Sequence, residues 1–140
     1  MRYAPLVGLL SLVCAPTALA CQCMDLLIEE KIDRATHIFR ARVTSAELVE
    51  KGPEGSGLVR AKFDVIALLK GDPSKLEAVQ TPIGGGTCEV PIIVGLEYVF
   101  FVSANGETNS CSGTMPRRGI RYGATDEWFE FVKRYGLGPD

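Results

Sequence analysis

The chemistry-bearing residues of this chain concentrate near its start, where Cys21-Gln22-Cys23 directly follows Ala18-Leu19-Ala20. Residues 1–20 read as a secretory signal: Arg2 supplies the positive region, Leu6 to Val13 the apolar region, and Ala18-x-Ala20 the small-residue cleavage site. Cutting after Ala20 leaves a mature domain of residues 21–140 whose first residue is a cysteine. The amino nitrogen and carbonyl oxygen of one residue close a five-membered chelate ring on a metal. With a reference pKa of about 7.7–8.0, part of such an α-amino group is neutral near physiological pH. A catalytic zinc keeps one position open for water, and a chelate that fills it removes the nucleophile of hydrolysis. Binding of this kind is proton-linked, because the ammonium must lose its proton. The plainer role for Cys21 and Cys23 is to anchor the terminus, and a disulfide framework is sufficient to explain both.

Secreted or periplasmic localisation follows from this signal, with a lipid anchor on Cys21 as the competing reading. Lipoprotein signals favour Leu three residues before the cysteine, where this chain has Ala18. Acylation would block the amine. The apolar stretch falls short of the roughly 20 residues that span a bilayer, and no transmembrane segment is expected elsewhere.

Other reactive side chains are sparse. His37 is the only histidine and opens a strand-like run, a position that suits a half-buried structural residue better than a metal ligand or pH switch. There is no H-E-x-x-H, no G-x-S-x-G and no Ser-His-Asp set, so the chain is not expected to be an enzyme. Glu29 and Glu30 belong on the solvated side of a helix. Arg117, Arg118 and Arg121 form a small basic cluster that reads as a solvated face. Gly84-Gly85-Gly86 lacks the Lys-Ser/Thr of a phosphate loop and reads as a connector beside Cys88.

Charge excludes a further class. Taking Arg2 from the 15 Lys and Arg leaves 14 against 17 Asp and Glu in the mature chain. A balance near −3 does not suit a nucleic-acid binder. Of the five cysteines, Cys14 leaves with the signal, and Cys21, Cys23, Cys88 and Cys111 remain. An even number in an exported chain predicts two disulfides. Direct Cys21–Cys23 pairing would close a strained ring, so both are expected to reach Cys88 and Cys111, in either arrangement. A four-cysteine zinc site is the alternative, but structural zinc sites favour two to four residues between paired cysteines.

The elements that must position these residues read as mainly β. Residues 24–35 suit a short helix with Leu27, Ile28 and Ile32 on one face. Ile38 to Leu48 is a strand. Val59, Ala61, Phe63, Val65, Ala67 and Leu69 alternate with Arg60, Lys62 and Asp64, the mark of a strand with one buried face. Leu76 to Thr81 and the aromatic run Glu97 to Ser103 are further strands. Residues 125–135 suit a helix with Thr125 as N-cap, Trp128, Phe131, Val132 and Tyr135 as an apolar stripe, and Gly136 as C-cap. An OB-fold-like five-stranded barrel with a helix near each end is the economical arrangement.

Several motifs in this order resemble one family: Cys21-x-Cys23 after a signal, Ile38-Phe39-Arg40-Ala41-Arg42-Val43, Leu69-Lys70-Gly71, Thr87-Cys88-Glu89-Val90, Val94-Gly95-x-x-Tyr98-Val99-Phe100-Phe101, and Ser110-Cys111-Ser112-Gly113-Thr114. Together they look like the netrin-module superfamily, and within it the N-terminal domain of the tissue inhibitors of metalloproteinases, over about Cys21 to Thr114. The resemblance implies an OB-fold barrel with Cys21–Cys88 and Cys23–Cys111 disulfides. It implies that the Cys21 amine and carbonyl chelate a protease's catalytic zinc, with Gln22 directed into the specificity pocket. Three departures bear on the inhibitory activity rather than the fold. The third disulfide of the animal inhibitors has no cysteines here, their cysteine-rich second domain is absent, and Gln22 stands where a small hydroxyl residue is usual.

The expected function is therefore an exported monomeric inhibitor of zinc metalloproteinases acting through Cys21, Gln22 and Cys23. It has no cofactor of its own, and its only zinc is the partner's. The alternative is a netrin-like binding module that does not inhibit.

Overall fold

The computed structural model describes residues 21–84, 86–117 and 126–137. Five antiparallel strands form one sheet in the order β3-β2-β1-β4-β5, with β1 His37–Lys51, β2 Gly57–Lys70, β3 Val79–Ile83, β4 Glu97–Val102 and β5 Met115–Pro116. Helix α1, Ile28–Arg34, precedes the sheet, and α2, Asp126–Arg134, follows it. This is the mainly β architecture expected from the pattern. Gln80 and Glu107 form a parallel bridge, with Gln80 N–H donating to Gly106 O at 2.8 Å and Thr108 N–H to Gln80 O at 2.8 Å. That bridge joins the β3 edge to the segment after β4, so the sheet curls back on itself.

The two central strands bury both faces. On one side Phe39, Ala41, Val43, Tyr98, Phe100 and Val102 form the inner core. On the other, Ile38, Val99 and Phe101 meet Ile28 of α1 and Trp128, Phe131 and Val132 of α2. The continuous apolar run of β4 follows from this arrangement, because a strand covered on both faces has no position to spend on polar residues. Tyr98 shows how the polar exception is handled: its hydroxyl donates to Pro91 O at 2.6 Å and accepts from Ile93 N–H at 3.0 Å.

Several local readings change, and the strand expected over Leu76 to Thr81 runs instead over Val79–Ile83. α1 is shorter than residues 24–35, and residues 21–27 are in no helix or strand; Leu27 is exposed instead of sharing the face of Ile28. Leu27 offers no acceptor as N-cap, so the helix is capped from elsewhere, with Ile28 N–H donating to Glu127 Oε1 of α2 at 2.9 Å. In β2 the alternating residues do not share one face. Phe63 packs on the inner core, Ala67 and Leu69 pack under the helices, and Val65 is exposed. The register shift between Arg40 and Ala41 sets Ile66 and Ala67 against a single residue, which reverses side-chain parity. In α2, Tyr135 is exposed beyond the buried stripe of Trp128, Phe131 and Val132. Gly136 has the positive φ of a C-cap, with Leu137 N–H reaching back to Val132 O. The expected N-cap Thr125 lies outside the described residues.

Candidate functional site

The segment before α1 is joined to two turns that lie between strands. Cys21 is bonded to Cys88 and Cys23 to Cys111, the two pairs the resemblance names. Cys21, Gln22 and Cys23 are exposed, whereas Cys88 and Cys111 are half-buried. Each turn is built locally. Around Cys88, Thr87 N–H and Oγ1 both donate to Gly84 O, at 3.1 and 2.7 Å, and the Glu89 carboxylate accepts from Gly84 N–H at 2.9 Å. Gly84 needs its positive φ of 67° here. Around Cys111, Asn109 Oδ1 accepts Ser112 N–H at 2.9 Å, and the Ser112 hydroxyl donates to Asn109 O at 2.7 Å.

The two turns are joined to each other and to the sheet. Ser110 N–H donates to Cys88 O at 2.9 Å. Phe101 anchors the second turn through its backbone: its N–H donates to Thr114 Oγ1 at 2.7 Å, and its carbonyl accepts from Thr108 Oγ1 at 2.8 Å. Val90 N–H donates to Thr81 Oγ1 at 3.2 Å, fixing the first turn to β3. Cys21-Gln22-Cys23 therefore rests on a framework held by backbone and hydroxyl hydrogen bonds as well as by sulfur.

Beside this segment lies a groove of about 420 Å³ with Gln22, Cys23, Met24, Lys31, Arg34 and Glu107 on its walls. Leu26, Ala35, Phe101 and Val102 add apolar surface to the polar and charged groups of its lining. Among the described residues, the four cysteines form a grouping of metal-capable side chains, their sulfurs all within 4.8 Å of one another.

The remaining sequence candidates are elsewhere. His37 is buried at the start of β1, where its Nδ1 accepts Asp72 N–H at 3.0 Å. Asp72 is held below the ordinary carboxylate range by hydrogen bonds from the Ser74 hydroxyl and N–H. Glu29 and Glu30 are exposed, and Glu30 accepts Leu27 N–H at 2.9 Å. Arg117 is spoken for by Glu97, at 2.8 Å, while Arg118 and Arg121 lie outside the described residues.

Glu97 is the centre that sequence reading missed. Its carboxylate meets Arg42 at 2.7 Å, Arg117 at 2.8 Å and Arg40 at 3.8 Å. The hydrogen bond from Arg42, aided by Arg117, holds its carboxyl below the ordinary range even though burial pushes the other way. The available signal was Arg40 and Arg42 alternating along β1, but it needed the pairing of Arg42 with Glu97 to become a contact.

Neither a scan against models of protein families nor a search of curated proteins finds a match to this chain. Among the described residues no helix is long and apolar enough to cross a membrane. Two disulfides in a small β domain fit an oxidising compartment outside the cytosol.

Proposed function

We propose that the chain, after removal of residues 1–20, inhibits zinc metalloproteinases by presenting the amine and carbonyl of Cys21 to the catalytic zinc. The observation that carries this reading is the placement of residue 21. It is exposed, yet it is tied by Cys88 to a turn that is itself hydrogen-bonded to the turn holding Cys111. A terminus so restrained loses little conformational freedom on docking, which is the cost that weakens binding by frayed ends. The neutral amine and the carbonyl supply two hard donors to an ion whose open position otherwise holds water. Gln22 follows directly and would enter the pocket beyond the scissile position, where its amide can both donate and accept.

The test is inhibition of a panel of zinc metalloproteinases by protein that begins at Cys21, compared with protein carrying one extra residue before it. Extension turns the amine into an amide nitrogen that cannot ligate and puts bulk where zinc must approach. Inhibition by the first form alone supports the reading. Equal inhibition by both removes chelation by Cys21, and no inhibition by either leaves a netrin-like binding module as the better account.

A further inference from the structure

We propose that, when its two disulfides are reduced, this protein binds one soft metal ion, Zn²⁺ or Cu⁺, through the thiolates of Cys21, Cys23, Cys88 and Cys111. The inference stands apart from protease inhibition, which uses backbone atoms of Cys21 and a zinc ion held by another protein. It rests on the closeness of the four sulfurs, all within 4.8 Å of one another, with Cys21 Sγ 3.9 Å from Cys111 Sγ across the two bonds. A tetrahedral zinc–thiolate centre with metal–sulfur distances of about 2.3 Å places its sulfurs about 3.8 Å apart. The Cys21–Cys111 separation already matches that edge, and no other pair of sulfurs is more than 4.8 Å apart.

Spacing along the chain conceals this arrangement. Cys21 and Cys23 have a single residue between them, and Cys88 and Cys111 are distant in sequence, so neither pair shows the usual zinc-site interval. The fold assembles the set by bringing two turns to the segment before α1. That assembly does not depend on the disulfides alone. Ser110 N–H to Cys88 O fixes the two turns against each other, and Thr108, Ser112 and Thr114 fix the second turn to Phe101. The segment bearing Cys21 and Cys23 runs into α1, which is held by Glu127 at its start and by Lys70 Nζ donating to Ile32 O at 2.8 Å near its end. The hydrogen bonds thus keep the turns of Cys88 and Cys111 together once the sulfur–sulfur bonds are gone, while Cys23 and Cys21 lie five and seven residues before the anchored start of α1. Thiolate ligands select Zn²⁺ and Cu⁺ over hard cations.

The redox step balances with two equivalents of a dithiol, from a small molecule or a redox protein. Each delivers two electrons and two protons to one disulfide, yielding two cysteine thiols, and closes its own disulfide. The metal then replaces the thiol protons. The two states exclude each other, since each sulfur is either bonded to sulfur or to metal, and the bound metal protects the thiols from reoxidation.

The test is anaerobic reduction of residues 21–140 with a water-soluble phosphine, which takes an oxygen from water as it reduces each disulfide, followed by titration with Co²⁺ and then Zn²⁺. Expected are one Co²⁺ per chain, a sulfur-to-cobalt charge-transfer band, the intense visible bands of tetrahedral cobalt, and their loss when Zn²⁺ displaces it. Cys88→Ser, reduced in the same way, is expected to bind at least 10–100-fold more weakly, the range that loss of even an outer-sphere partner costs. A weak octahedral spectrum would overturn the proposal. So would an affinity no higher than that of the reduced chain unfolded in urea, which would assign binding to loose thiols instead of a built site. Unreduced protein should not develop the charge-transfer band, and if it did, the assignment to these four sulfurs would fall.

Discussion

Replacing Glu97 with Gln removes one charge from among three guanidinium groups, and the structure allows the consequence to be worked out. The Glu97 side chain is 15% exposed, Arg40 7%, Arg117 23% and Arg42 58%. The bond to mostly exposed Arg42 belongs with surface pairs worth about 0–1 kcal/mol. The bond to Arg117 is more sheltered, and hydrogen bonds to charged groups contribute roughly 1.5–3 kcal/mol. A glutamine keeps one carbonyl acceptor but turns its amide donors toward a guanidinium, so E97Q should cost about 2–3 kcal/mol at neutral pH. With a urea m-value of about 1–3 kcal/mol/M for a domain of this size, the unfolding midpoint should fall by about 0.7–3 M. The pH dependence has a definite sign. The folded-state pKa of Glu97 lies below its ordinary value of 4.5, so its contribution is complete above that value and is lost as pH falls through the folded pKa. Urea titrations of both proteins at pH 7 and across the acid range should therefore show a gap that narrows toward low pH. An unchanged midpoint at pH 7 would refute the assignment of Glu97 as the centre of this cluster, as would a gap that persists undiminished in acid.

Three further substitutions probe how the site is positioned. Tyr98→Phe leaves Ile93 N–H and Pro91 O without their partner beside the inner core and should cost about 1–3 kcal/mol by urea unfolding, without altering the disulfides. Gly71→Ala should destabilise by at least about 1–2 kcal/mol, because φ is +76° and a Cβ would run into Thr36 O and His37 Nδ1; slower amide exchange around Asp72 than in the parent would contradict this. Glu127→Ala removes the cap that α1 borrows from α2 and should cost about 0.5–2 kcal/mol, with faster amide exchange confined at first to residues 28–31.

How much was legible in the sequence depended on whether a signal was local. β1 was readable as an apolar, β-branched run, α2 because its apolar spacing suits the helical period, and Gly136 because a C-cap needs a positive φ that glycine supplies. β2 was located but its faces were misassigned after Phe63, since a bulge is set by the partner strand and leaves no mark in the alternation of a single chain. α1 begins later than its apolar spacing suggested: Leu27 stands at the N-cap without a side-chain acceptor, and Ile28 N–H is met by Glu127, 99 residues away. The same distinction holds at the site. The Cys21-Gln22-Cys23 segment was visible as a motif. The bridge between the turns of Cys88 and Cys111, the hydroxyl cluster on Phe101 and the Glu97 centre arise only when distant segments meet.

The central claim is that the Cys21 amine reaches a protease's catalytic metal, and the visible spectrum of a cobalt-substituted zinc metalloproteinase reports on that contact. Protein beginning at a free Cys21 should shift the cobalt bands as it displaces the metal-bound water, with an end point matching the loss of protease activity. Protein acetylated at the Cys21 amine, with both disulfides intact, should leave bands and activity unchanged. Inhibition without any change in the cobalt spectrum, or an acetylated protein as effective as the free one, would contradict the account.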